Sequence, residues 1–150
     1  MPTECKLDIH KEVWDLGGVM TAEFYDVAGH PCRVVHENDE IRIVVVLKLT
    51  GRILNYLCNT KICVQVAFES CGTGPEDSVH QWKVLNPCAP GGDRYEFDFR
   101  IPAGRLTAGE CGTQYELCIT VGSKDCCDKV GFIFGTCKDF DITVLPADVN

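Results

Sequence analysis

The chain has 150 residues, 45% of them hydrophobic and 24% charged, with a net charge of −8 and a pI of about 4.9. That length suits one domain with a full-sized core, and the acidic balance opposes contact with phosphate backbones or anionic membranes. No apolar run approaches the ~18 residues needed to span a bilayer; Ile43 to Leu47 is core-strand length.

Residues 1–17 carry no clear period and end at the breaker pair Gly17-Gly18. They read as an N-terminal extension on the surface of a single domain over 18–147, with 148–150 as a tail. The start, Met1-Pro2-Thr3-Glu4-Cys5, has no basic region followed by an apolar one, so it is not a secretory signal. Taken literally, that places the chain in the cytoplasm. Eleven cysteines point instead to an oxidising compartment, which fits if Met1 was added to a mature secreted chain.

The first predicted strand is Val19 to Val27, closed by Ala28-Gly29-His30-Pro31. In the second, Ile41 to Thr50, the odd positions form one apolar face, while Val44 and Val46 make the opposite face apolar at its centre. That pattern predicts a central strand whose outer valines need a cover, either the extension or another chain. Lys61 to Glu69 alternates cleanly, with Ile62, Val64, Val66 and Phe68 facing in. His80 to Leu85 is a shorter candidate containing Trp82. Arg94 to Ile101 places Tyr95, Phe97, Phe99 and Ile101 inside, and Gln114 to Val121 does the same with Tyr115, Leu117, Ile119 and Val121. Val130 to Phe134 and Asp139 to Leu145 finish the domain. No segment sustains a 3.6-residue apolar period. About seven or eight short strands between Gly/Pro/Asn breaks predict an all-β, antiparallel two-sheet sandwich.

One local pattern sharpens this. Ile101-Pro102-Ala103-Gly104-Arg105-Leu106 leads through a turn to Tyr115-x-Leu117-x-Ile119-x-Val121. It resembles the corner before the sixth strand of immunoglobulin-like and fibronectin-type-III-like domains. The resemblance implies a Tyr115 hydroxyl bonded to backbone between about Ile101 and Cys111. The inward cysteine pair of that family is missing, since Leu117 fills the inward slot after Tyr115. Such sandwiches host many functions, so the likeness fixes no activity.

The cysteines avoid the expected core positions. Cys5, Cys32, Cys58, Cys71, Cys88, Cys111, Cys126, Cys127 and Cys137 fall in connections or at strand ends, and Cys63 and Cys118 on the outer face of strands. That placement suits crosslinks, metal ligands or reactive thiols better than core filling. Cys63 and Cys118 share the outward face of two expected neighbours and are candidates to meet. The loops of Cys71 and Cys88 are candidates to be tied to each other or to a strand end, and one of Cys126 and Cys127 to Cys137. An odd count leaves one thiol unpaired or bonded between molecules.

His30-Pro31-Cys32 with His36 is a candidate zinc site, because two histidines and a cysteine lie within seven residues. The bland reading, a polar loop, is preferred, since zinc motifs pair ligands at tighter repeated spacings. Calcium is disfavoured, because no acidic turn follows a calcium-loop spacing. No Cys-x-x-Cys occurs, and Asp125 and Asp128 beside Cys126-Cys127 oppose a reactive thiolate there. The serines, Ser70, Ser78 and Ser123, sit in no Gly-x-Ser-x-Gly, and Gly72-x-Gly74 lacks a phosphate-loop ending. Cations are scattered and aromatics are expected inside, which disfavours nucleic acid. The expected function is a non-catalytic interaction or structural module, self-associating or bound to a protein partner, with no cofactor. The alternative is a cysteine/histidine metal-binding or thiol-redox protein.

Overall fold

The computed structural model describes residues 3–9, 16–71, 77–124 and 130–147. They form nine strands and no α-helix: β1 (Thr3–Ile9), β2 (Gly17–Tyr25), β3 (Val34–His36), β4 (Ile41–Thr50), β5 (Lys61–Ser70), β6 (Asp77–Val84), β7 (Arg94–Ile101), β8 (Thr113–Lys124) and β9 (Val130–Leu145). A 3-10 turn, Arg52–Tyr56, separates β4 from β5. The sheet order is β6-β5-β8-β9-β1-β2-β4-β7, with β3 added alongside β9. The β3–β9 pair is parallel and all other ladders are antiparallel, so the sheet is mixed rather than purely antiparallel.

The alternating positions fold as their periods dictate. Ile43, Val45, Val64, Val66, Phe97, Phe99, Leu117 and Ile119 are all buried, while Gln65 and Glu116 between them are exposed. Residues from both halves of the sheet enter one core cluster, an arrangement compatible with a sandwich. The segment read as a surface extension supplies β1, which lies inside the sheet. Thr3 to Cys5 pairs with β2, and Lys6 to Ile9 pairs with β9. Where β1 changes partner, neighbouring backbones come close. A Cβ on Gly18 would lie 2.8 Å from Leu7 Cδ2 and 2.9 Å from Lys48 O, and one on Gly135 would lie 3.0 Å from Lys6 O. Both positions therefore require glycine.

The outer face of the β2-β4-β7 region is ionic. Glu23 and Asp98 flank Val44 across the ladders, and Arg42 binds Asp98 at 2.8 Å. Glu23 is buried and paired with Arg33 at 3.0 Å, whose guanidinium stands 4.1 Å from the Phe140 ring centroid. Val44 is thus shielded by charged neighbours on its own sheet. The terminal strands β6 and β7 also meet. Gln81 Nε2 donates to Asp98 O at 2.6 Å, and Lys83 Nζ lies 5.6 Å from the Phe97 ring centroid. The corner resemblance has a concrete counterpart: Tyr115 is fully buried and its hydroxyl donates to Thr107 O at 2.7 Å.

Candidate functional site

The outer face of β6-β5-β8-β9 differs from the ionic face. Pairing places Trp82 beside Cys63, Cys63 beside Gly122 and Gly122 beside Phe134, so one cross-strand row runs aromatic, thiol, glycine, aromatic. Trp82 is 46% exposed, Phe134 54% and the neighbouring Val84 54%. Between the two rings lies a slot of about 290 Å³ whose floor is Gly122, where a Cβ would meet nothing within 4 Å. That volume is at the small end of ligand pockets, about 300–1,000 Å³, and suits one inserted side chain. Exposed apolar groups gathered on one face mark interaction surfaces more often than scattered ones do.

The slot is electrostatically quiet. Cys63 and Lys124 are the titratable side chains lining it. Burial pushes the Cys63 thiol up and nearby Lys124 pulls it down, with a net rise that favours the neutral thiol. Lys124 Nζ sits 5.3 Å from the Trp82 ring centroid, a cation–π distance that braces the indole. One neutral thiol and one ammonium provide no general base paired with a nucleophile.

Sequence reasoning placed the aromatics inside, and two of them are outside for identifiable reasons. In β6 the inward positions are Gln81 and Lys83, which close the gap to β7, so Trp82 takes the outer side. In β9 the register slips by one between Phe140 and Cys137, so Ile133, Gly135 and Cys137 face in and Phe134 faces out.

Two cysteine placements also need correction. Cys5 and Cys137 are buried strand residues in the core. They lie one step beyond the Lys6–Thr136 pair of the β1–β9 ladder, and their thiols hydrogen-bond, which together with burial raises the Cys5 pKa. Cys63 and Cys118 do not oppose each other, since Cys63 pairs with Gly122 and Cys118 with Ala67. Cys88 approaches Cys58 rather than Cys71: their sulfurs are 4.0 Å apart and both residues are exposed. Cys71 donates its backbone N–H to Gln114 O at the far end of β5, and Cys111 is exposed on the turn before β8. No two sulfurs among the described residues are at bonding distance. Cys126 and Cys127 lie outside the described residues.

The histidine candidates do not converge. His30 is exposed and stands 4.0 Å from Asp26, while His36 Nδ1 is 2.9 Å from Pro146 O. Cys32 is half-buried, and its thiol is pushed up to about 11 by burial first and Asp26 second. Among the described residues no three His, Cys, Asp or Glu side chains gather to hold a metal, and no helix is long and apolar enough to cross a membrane. Neither the protein-family models nor the curated proteins compared with this chain gave a match.

Proposed function

We propose that this chain is a non-catalytic, immunoglobulin-like β-sandwich that works as an interaction module, docking through the outer face of β6-β5-β8-β9, with a second copy of itself as the partner. The observation that carries the reading is the exposed Trp82, Val84 and Phe134 around an open slot, on a protein whose other face is ionic. The projecting Trp82 and Val84 sit beside the slot floored by Gly122. A projecting indole beside an open slot offers a second copy both a knob and a hole, the pairing that a two-fold contact uses. The Tyr115–Thr107 bond supports the immunoglobulin-like part of the reading.

Sedimentation equilibrium in the presence of a thiol reductant tests this. The weight-average mass is expected to rise above 16.6 kDa with concentration. It should rise further with added salt, because screening weakens repulsion between two copies of net charge −8. Gly122→Val places side-chain carbons on the floor, where a Cβ meets nothing within 4 Å, and should hold the protein monomeric. A mass of 16.6 kDa at every concentration and salt level refutes self-association. A second reading, a thiol-redox protein, is supported by the approach of Cys58 to Cys88.

A further inference from the structure

We infer that Cys58 and Cys88 form a redox-reactive pair that closes into an intramolecular disulfide by exchange with a low-molecular-weight disulfide such as oxidised glutathione, clamping the β6–β7 loop to the turn before β5. The inference is independent of the docking face. Its first support is distance. The sulfurs are 4.0 Å apart and a disulfide needs about 2.05 Å, so each sulfur has about 1 Å to travel, and both side chains are exposed. Its second support is that the backbones are already held together without the bond. Asn59 N donates to Leu85 O at 3.2 Å and Leu85 N donates to Thr60 O at 2.8 Å, which tie the two segments just inside the cysteines. The loop carrying Cys88 is anchored at both ends by Tyr95, whose hydroxyl accepts from Asn86 N at 2.9 Å and donates to Gly92 O. Closure therefore costs little rearrangement.

Exposure separates this pair from the other. Cys5 and Cys137 also touch, but inside the core, where a dissolved disulfide cannot reach them without unfolding. Cys58 and Cys88 are open to solvent. The chemistry balances within the named reactants. The thiolate of one cysteine attacks the S–S bond of oxidised glutathione, forming a mixed disulfide and releasing one glutathione. The second cysteine, as thiolate, attacks the protein-side sulfur of that bond and releases the other glutathione. Two protein thiols are oxidised, one disulfide is reduced, and the two protons lost by the cysteines pass to the departing glutathione thiolates. The bond sits at the end of the β5–β6 ladder that carries Trp82, so it also steadies that terminal strand.

The test uses the folded, fully reduced 150-residue chain. It is exposed to mixtures of oxidised and reduced glutathione, quenched with acid, alkylated and digested for peptide mapping. The expected first product is a peptide pair joined through Cys58 and Cys88, reversed by excess reduced glutathione, while Cys5 and Cys137 stay protected until denaturant is added. Cys58→Ser should instead accumulate a mixed disulfide with glutathione on Cys88, and Cys71→Ser should leave the joined pair unchanged. Stable mixed disulfides on both wild-type cysteines, or earlier joining of a different pair, would overturn the inference. A chain that stays monomeric yet forms this bond defeats only the docking reading.

Discussion

Removing one oxygen atom, Tyr95→Phe, isolates what holds the Asn86–Gly92 loop. The ring is buried and keeps its packing, so the loss is confined to two hydrogen bonds, from Asn86 N to the hydroxyl and from the hydroxyl to Gly92 O. A neutral bond nets about 0.5–1.5 kcal/mol, so the variant should lose about 1–3 kcal/mol. At this chain length a 2 kcal/mol loss corresponds to a fall in Tm of about 4–8 °C. Tyr115→Phe is the control: its ring is fully buried and its hydroxyl donates one bond, to Thr107 O, so about 1 kcal/mol is expected. Urea unfolding under thiol reductant, with an unchanged m-value, measures both. The freed loop should also slow closure of Cys58 onto Cys88 in the glutathione assay. A Tyr95→Phe change within ~0.5 kcal/mol of wild type, the usual range for a neutral surface substitution, would show that the hydroxyl does not organise this loop.

Two further outcomes follow from burial and charge. Phe97→Ala empties a fully buried site and should cost about 3–5 kcal/mol, whereas Glu96→Ala, half-exposed in loose ion pairs with Arg42 and Arg94, should change stability by less than about 1 kcal/mol; equal urea midpoints for the two would contradict the assigned faces. Cys32 is an acid whose folded pKa is raised from 9.0 to about 11, so its contribution to stability is complete below 9.0 and drains away as pH rises towards about 11. Cys32→Ser should flatten that alkaline loss relative to wild type, and parallel pH profiles would show that burial of this thiol carries no linkage.

The strands with strict alternation were legible because each buries one face against a common core. Arg94–Ile101 and Lys61–Ser70 needed nothing beyond period two. β1 was missed for a chemical reason. Its Cys5 and Leu7 alternate with exposed Glu4 and Lys6, so the pattern is present once cysteine is counted as a small apolar residue rather than as a loop staple. Cys137 was misplaced by the same assumption. The two buried cysteines are core residues first, and their proximity depends on a β1–β9 register that no local pattern reports.

The candidate site was illegible for a different reason: each of its parts breaks a rule that served well elsewhere. Trp82 is outside because β6, at one end of the sheet, spends its inward positions on Gln81 and Lys83 to close against β7, reversing the usual sense of apolar-in and polar-out. Phe134 is outside because an irregularity between Cys137 and Phe140 inverts the alternation of β9 partway along its length. Counting back from buried Phe140 and Ile142 by twos puts Phe134 in the core, and the slip puts it in solvent. Gly122 then matters only because these two rings flank it. A bulge that moves a phenylalanine outward, and a terminal strand that turns a tryptophan outward, both expose apolar area at a free-energy cost of order 25 cal/mol per Å². Both fall on the same row of the same face, one on either side of the Cys63–Gly122 pair, whose glycine leaves the floor open. The two exposures are independent, one set by closure of β6 against β7 and the other by the β9 slip, so alternation within either strand cannot report that their rings share a row.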